Sequence, residues 1–258
     1  MLTFVGLGLY DEHSVTVEGR EAIRHADRVF AEFYTSRLVG ATHEELEAFH
    51  GTTIEVRDRA GVEEDPEPIL DAAESGDAVF CTAGDTMIST THVDLRLRAH
   101  ERGIDTRVIH GTTAAAAAAS LTGLQNYRFG KATTLPFPYG SIRVPGSVTE
   151  TIEANRDRGL HTLVFLDIKA ERESDRFMTA DTAAGLLAEA YEDRLAVAVC
   201  RAGSPDPVVA ADRLSSLADR EFGDPLHLLV IPGELHHVEA EALAALASAP
   251  EELLPEDG

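Results

Sequence analysis

The stretch Asp77–His92, DAVFCTAGDTMISTTH, decides how the rest of the chain is read. It opens on an apolar run, Ala78–Cys81, long enough for a buried strand and too short for a helix. The run breaks at Ala83-Gly84-Asp85. A polar turn follows, and its Ser89, Thr90 and Thr91 are residue types that cap helices. From Val93 to Arg102 the pattern is helical. In an open α/β sheet, ligands sit at such carboxyl ends of strands. Gly84 lets backbone approach a ligand closely, and Asp85 places a fixed negative charge beside it. An ordinary strand-to-helix connection reads the same way in isolation, so the weight falls on whether other strand ends repeat the design.

Several do. Leu2–Gly8 is strand-like and runs into Gly6-Leu7-Gly8, with a helix expected over Ser14–His25 and Ser14 as its cap. Arg28–Phe33 is a second strand, closing in Phe33-Tyr34-Thr35-Ser36; Thr42–Phe49 is helical and Thr53–Arg57 a short strand. The acidic run Glu63–Glu67 predicts a solvated loop before a helix over Pro68–Ser75. Asp105–Ile109 ends in His110-Gly111-Thr112-Thr113, and six alanines, Ala114–Ala119, continue as a helix that Thr112 or Thr113 could cap. The segment 124–144 carries Pro136 and Pro138 and is mostly extended. A junction within Gly111–Gly123 therefore divides the chain into domains of residues 1–112 and 113–258.

The second half resumes with a helix over Val148–Arg158, a strand over Thr162–Ile168 and a helix over Thr179–Tyr191 capped by Thr179 or Asp181. Leu195–Cys200 is an apolar strand whose end, Cys200-Arg201-Ala202-Gly203, repeats the design of Cys81-Thr82-Ala83-Gly84. A short helix over Asp212–Asp219, a strand over Leu226–Ile231, a helix over Leu235–Ala247 and an acidic, frayed tail complete the reading. Strands alternating with helices predict the α/β class, with five mostly parallel strands in the first half and a mixed sheet in the second. Small residues at the strand ends, Gly8, Gly84, Gly111 and Gly203, imply a ligand cleft between two α/β halves, lined by backbone more than by charge.

Composition narrows the partners. The chain has 45 acidic residues against 22 Lys plus Arg, a formal net charge of -23. Such a field repels phosphate, which argues against nucleic acid and anionic membrane as direct partners. Lys131 and Lys169 are the sole lysines. Acidic excess with few lysines fits a protein kept soluble in concentrated salt, where screening shortens to about 3 Å. No run reaches the ~18–20 apolar residues of a membrane span. The opening MLTFVGLGLY has no basic leader, which predicts a cytoplasmic protein. Cys81 and Cys200 lie in apolar runs and give neither a disulfide framework nor a zinc spacing.

The chemistry is bounded as much by what is missing. There is no G-x-S-x-G elbow, no H-E-x-x-H and no P-loop. Asp11 stands where the third glycine of a nicotinamide fingerprint would be, so that reading fails too. His236 and His237 are adjacent and point apart on a helix, so no metal is expected. His227, inside an apolar strand, reads as a satisfied core histidine. Glycine turns with one or two carboxylates suit a neutral or cationic ligand bearing an adenine-like ring.

Together, GLGLYDE (Gly6–Glu12), FAEFYTS (Phe30–Ser36), GD with STTH (Gly84–His92), TGLQNYRFGK (Thr122–Lys131), HTLVFLDIKA (His161–Ala170), RAGS (Arg201–Ser204) and GDPLHLLVIPG (Gly223–Gly233) resemble the diphthine synthase family, in order and across nearly the whole chain. The resemblance implies a fold of the tetrapyrrole-methylase type and an S-adenosylmethionine-dependent methyltransferase. It implies methylation of the amino group of 2-(3-amino-3-carboxypropyl)histidine on translation elongation factor 2, giving trimethylated diphthine, by a homodimer. Donor contacts carried onto matching positions are Leu9, Asp85, Ile88, Thr113, Ala114, Leu166, Ala202 and His227; no catalytic base is implied. His227 thereby moves from core residue to donor contact. One departure is Thr86, where the family commonly has proline after the GD pair. Rival readings are a precorrin methyltransferase on the same scaffold and a non-catalytic adenosylmethionine-binding module.

Overall fold

Short runs rich in β-branched and aromatic residues become a five-stranded parallel sheet in the first part of the chain. The computed structural model describes residues 1–169, 176–189 and 194–255. By internal contacts the chain forms two compact units, Met1–Thr113 and Ala114–Gly258. The first runs β1 (Leu2–Gly6), α1 (Val17–His25), β2 (Arg28–Glu32), α2 (His43–His50), β3 (Ile54–Val56), α3 (Arg59–Glu63), α4 (Glu67–Ser75), β4 (Ala78–Thr82), α5 (Val93–Glu101) and β5 (Thr106–Ile109). Its strand order is β3-β2-β4-β1-β5, parallel throughout.

Both faces of that sheet are covered, so its strands read as continuous apolar runs. Side chains alternate between faces. Leu2, Phe4, Phe30 and Phe80 pack with Ile69 and Leu70 of α4 and Leu95 of α5. Val5, Val29, Ala31 and Cys81 pack on the other side with Ile23 of α1 and Leu46 of α2.

The helix caps differ from expectation in three places. Ser14 lies in a 3-10 turn, Glu12–Ser14, and α1 is capped instead by Thr16, whose hydroxyl accepts from Gly19 N at 3.0 Å. Before α5, none of Ser89, Thr90 or Thr91 is the cap; that position is His92, without a side-chain cap bond, and Thr90 Oγ1 accepts from His92 N at 3.3 Å. Ahead of the acidic run, Asp58 caps a short helix, α3, that composition hid. Thr42 and Glu45 form a reciprocal capping box on α2.

The second unit comprises α6 (Ala114–Thr122), β6 (Thr133–Leu135), α7 (Gly146–Arg156), β7 (Thr162–Leu166), β8 (Ile168–Lys169), β9 (Arg176–Phe177), α8 (Ala180–Ala188), β10 (Leu195–Cys200), β11 (Val208–Arg213), α9 (Leu214–Ala218), β12 (His227–Ile231) and α10 (His237–Ala247). Its main sheet, β11-β10-β12-β7-β6, is mixed: β6 pairs parallel to β7, and the other pairings are antiparallel. One face packs against α7, α8 and α9, the other against α6 and α10.

Here too the chain corrects its reading. The strand expected to reach Ile168 stops at Leu166, because Asp167 turns aside to accept Phe137 N at 2.9 Å. The helix expected from Asp212 begins at Leu214; the residues before it form β11, an edge strand that depends on pairing with β10. Thr179 is the α8 cap position, but its hydroxyl donates to Thr182 Oγ1 instead of capping. That helix ends at Ala188, and the expected terminus at Tyr191 lies outside the described residues, as does Ala170. The tail forms a 3-10 turn, Glu251–Leu253, where fraying was expected.

Candidate functional site

In the first unit, β1 passes the chain across β4 to reach β2, while β4 passes it across β1 to reach β5. Neighbouring strands whose connections leave in opposite directions define the switch point where open α/β sheets bind ligands. Both carboxyl ends there carry glycine. Gly8 and Gly84 pair across the gap, with Gly84 N donating to Gly8 O at 2.7 Å and Gly8 N to Gly84 O at 3.1 Å. A Cβ on Gly6 would stand 2.5 Å from Gly111 N and from Gly84 O, and one on Gly111 would collide with Gly84 O. Three strand ends thus cross at backbone contact, and only glycine permits that. Above them, a Cβ on Gly84 would meet nothing within 4 Å, and φ there is +73°. A backbone lying open at a switch point fits a flat ligand.

Loops in both units hold unusual backbone. Among the described residues four non-glycines have positive φ: Tyr10 (74°), Ser89 (57°), Arg201 (52°) and Ser248 (53°). The last is the left-handed C-cap of α10. Each of the other three adjoins an expected donor contact: Leu9, Ile88 and Ala202. Left-handed backbone disfavours side chains bearing a Cβ and tends to persist at functional sites. The Leu9 loop is closed by Ser14, whose hydroxyl donates to Leu9 O. Ile88 is half exposed.

Asp85 does something the sequence did not foretell. Its side chain is nearly buried and already engaged: Oδ1 accepts Met87 N at 2.9 Å, while Oδ2 faces His110 Nδ1 at 2.7 Å and Gly111 N at 3.3 Å. The carboxylate ties the β4 turn to the end of β5. Thr113 follows that end and immediately precedes α6, which Ala114 begins.

The remaining residues lie in the second unit, on one edge of its sheet. β7 and β10 run in the same direction, each antiparallel to β12. Hence the carboxyl ends of β7 and β10 meet the amino end of β12. Cys200 pairs with His227 and Phe165 with Leu228, which brings Leu166, His227 and the Arg201-Ala202 turn together. Ala114 and Ala202 both pack on the apolar cluster beneath. His227 is the first residue of β12, not its middle. Its Nδ1 accepts from Ala180 N at 3.0 Å and Nε2 faces Asp224 O at 2.8 Å, so the ring is the neutral Nε2–H tautomer. Burial, above all, pushes its pKa down. The ring is satisfied in the core, as the sequence first suggested.

Sequence reading gave no role to a buried cluster at the end of β2. Glu32 is 0% exposed, and its Oε2 accepts Tyr34 N at 2.9 Å and Thr35 N at 3.0 Å. His92, 1% exposed, directs Nε2 at Glu32 Oε1 and at Tyr34 Oη, both at 3.4 Å, and Nδ1 at Thr86 O at 3.3 Å. Glu32 and Tyr34 fall in FAEFYTS and His92 in STTH, but nothing in the sequence joined the two stretches. Lys169 lies over the Phe137 ring at 5.3 Å, and the backbone of Lys131 is held by Asn155. No group of three or more metal-ligating side chains occurs among the described residues.

Comparison with known proteins fits this geometry. The family model of the tetrapyrrole (corrin/porphyrin) methylases matches residues 1–218. A diphthine synthase of Halorubrum lacusprofundi is 74% identical, covering 99% of this chain and all of that protein. The chain belongs to the diphthine synthases. A diphthine synthase of Methanosarcina acetivorans is 48% identical over 99% of both chains. A crystal structure of diphthine synthase, 40% identical, superposes with a TM-score of 0.90 over 98% of both chains. The protein is therefore an S-adenosylmethionine-dependent methyltransferase of diphthamide biosynthesis. The bare glycine crossing and the left-handed loops fit a nucleoside-type donor.

Proposed function

We propose that the chain methylates the amino group of 2-(3-amino-3-carboxypropyl)histidine on translation elongation factor 2, carrying it to the trimethylated diphthine stage. The observation that carries this reading is the crossing of Gly6, Gly8, Gly84 and Gly111 at the switch point. It leaves backbone open to a planar nucleoside without supplying a nucleophile or a metal. Leu9, Asp85, Ile88 and Thr113 of the first unit, and Ala114, Leu166, Ala202 and His227 of the second, contribute to donor binding. S-adenosylmethionine supplies an electrophilic methyl carbon when bound.

What the chain's own residues do is hold and place. Asp85 fixes the turn before Ile88 by accepting Met87 N and Gly111 N. Leu9 and Ile88 offer apolar contact beside open backbone. An in-line displacement asks chiefly that the acceptor nitrogen stand about 3–3.5 Å from the methyl carbon. We further propose a homodimer working in the cytoplasm, where its translation-factor substrate resides. No helix among the described residues is long and apolar enough to cross a membrane. The excess of 45 acidic over 22 basic residues suits a highly saline interior.

Transfer of labelled methyl groups onto unmethylated elongation factor 2 intermediate tests the reading. Incorporation on that histidine, with none on precorrin, is expected. Donor binding without transfer to the factor would overturn it.

A further inference from the structure

Methylating an amine more than once requires removing a proton before each new attack, because the α-amino type of nitrogen is largely protonated below about pH 8. The buried cluster at the end of β2 has the form of a device for that step. The bonds of His92 fix its protonation. A carbonyl can only accept, so Nδ1 carries the hydrogen and donates to Thr86 O at 3.3 Å. Nε2 is then the bare nitrogen, and Tyr34 Oη, 3.4 Å away, is the group able to donate to it. Glu32 Oε1 lies 3.4 Å from the same nitrogen, placed to face an imidazolium. Phenol and carboxylate thus converge on one imidazole nitrogen, the phenol as donor to the neutral ring and the carboxylate as counter-charge to the imidazolium, with tyrosine as the outer member.

Several observations point outward from this cluster. Tyr34 is the one partly exposed member, and Arg59 lies over its ring at 4.7 Å. The histidine is tethered to Thr86, one residue beyond Asp85, in the turn that carries Ile88. Thr82, which pairs with Glu32 across β2 and β4, is 1% exposed, and Thr86 is 0% exposed. Neither Thr82 Oγ1 nor Thr86 Oγ1 has a hydrogen-bond partner. Buried hydroxyls without protein partners are uncommon, and such polar positions are where water, an ion or catalytic groups are met.

We propose that Tyr34, His92 and Glu32 take the proton from the acceptor ammonium between methyl transfers; this rests on the amine-methylating function proposed above. The ammonium N–H bond breaks and its proton goes to Tyr34 Oη as the phenol's own proton moves to His92 Nε2. The amine emerges neutral with its lone pair free, Tyr34 is again a neutral phenol, and imidazolium faces the Glu32 carboxylate. The lone pair then forms the new N–C bond, and the departing C–S pair stays on sulfur as S-adenosylhomocysteine. The proton leaves His92 for solvent by the reverse path through Tyr34. Burial, first, and then the charge of Glu32 push the Tyr34 pKa up, so free phenolate is not the base. Burial pushes the pKa of His92 down, against the opposing pull of Glu32, so the ring is neutral before the transfer and the Glu32 carboxylate is what favours its protonated form. The other charges acting on the pair, Glu63 and Arg59 on α3 and Asp58 before it, include an ion pair of Arg59 with Glu63 at 2.9 Å.

The test uses the full chain with Tyr34→Phe, which keeps the ring under Arg59, and His92→Asn, which keeps an N–H for Thr86 while removing Nε2. Donor affinity by calorimetry, methyl count on elongation factor 2 by mass spectrometry and the rate from pH 6 to 9 are the readouts. Tyr34→Phe is expected to bind donor within about twofold of the wild type, to transfer methyl groups at least tenfold more slowly at pH 7 and to stall at fewer methyl groups. Its rate should climb about tenfold per pH unit toward the amine's own pKa. A Tyr34→Phe enzyme with wild-type rate, methyl count and pH profile would overturn the relay alone. So would an equal loss of rate at every pH with weakened donor binding, the mark of a structural role. A wild-type enzyme inert on the factor would instead overturn the functional reading, and the relay with it. Should His92→Asn fail to fold, Tyr34→Phe decides.

Discussion

The two units organise their strand ends by different rules. In the first, every strand runs the same way, so every carboxyl end lies on one edge and the glycine turns converge by topology alone. In the second, antiparallel pairing sends alternate strands the other way, and the edge holding Leu166 and Ala202 is completed by the start of β12, at His227. Strand-then-glycine thus marks the whole of one edge in a parallel sheet and half of one in a mixed sheet.

The comparison breaks hardest at Gly111. A Cβ there would collide with Gly84 O and stand 2.8 Å from the Gly6 backbone, and backbone cannot step aside as a flexible side chain can. Gly111→Ala should destabilise the protein by about 3 kcal/mol or more, at or beyond the usual cost of overpacking. Gly84→Ala should cost only the ~1–2 kcal/mol of a left-handed Cβ, because nothing lies within 4 Å. Chemical denaturation of the two variants checks the contrast; equal losses would show that the crossing is not as tight as described.

Asp85→Ala comes next. Its carboxylate holds two backbone N–H groups and faces one imidazole, and a hydrogen bond to a charged group contributes about 1.5–3 kcal/mol. The turn before Ile88 should loosen and donor affinity fall by tenfold or more. The corresponding change in the second unit, His227→Leu, should lower donor affinity and also cost stability, by leaving Ala180 N without its acceptor. Calorimetric titration with S-adenosylmethionine beside thermal melts separates the two, and unchanged donor affinity in Asp85→Ala would remove that residue from the site.

How much of this could be read from the chain follows from the same contrast. The first unit's five strands and the Gly8, Gly84 and Gly111 turns were visible because apolar runs and glycines are local signals. Asp85 was flagged for charge at a ligand, whereas its observed work is a tie to β5, a long-range contact no local pattern carries. β11 was missed because an edge strand owes its shape to its neighbour, and Asp212 and Arg213 before Leu214 look like a helix start. That Glu32 and Tyr34 meet His92 was invisible for the deeper reason that Tyr34 and His92 are 58 residues apart in sequence and come together only through folding.

Acid sharpens the comparison by treating the units alike. His50 and His92 in the first, and His161 and His227 in the second, are buried with pKa values pushed down, in each case chiefly by burial. A histidine held neutral in the fold binds its proton more readily when unfolded. Stability is therefore full above the unfolded value near 6.5 and is lost as pH falls below it. Melting temperature should hold from pH 7 to 8 and decline from about pH 6 downward. A flat profile to pH 5 would mean that these rings protonate without cost in the fold.

The smallest effect singles out one of the four. His161 and His227 have partners at both ring nitrogens, and His92 is tied to Thr86, but neither nitrogen of His50 has a hydrogen-bond partner although the residue is 1% exposed. Its pKa is lowered to about 4, by burial first and then by Arg20 and Arg24. A buried polar ring without partners costs stability, so an apolar side chain of similar volume should be an improvement. His50→Leu is expected to raise stability by about 1 kcal/mol at pH 7. It should also soften the acid decline between pH 6.5 and about 4, leaving donor affinity untouched. Urea unfolding of the variant at pH 7 and pH 5 measures both terms. A variant less stable than the wild type at pH 7 would mean that the imidazole has a partner there after all.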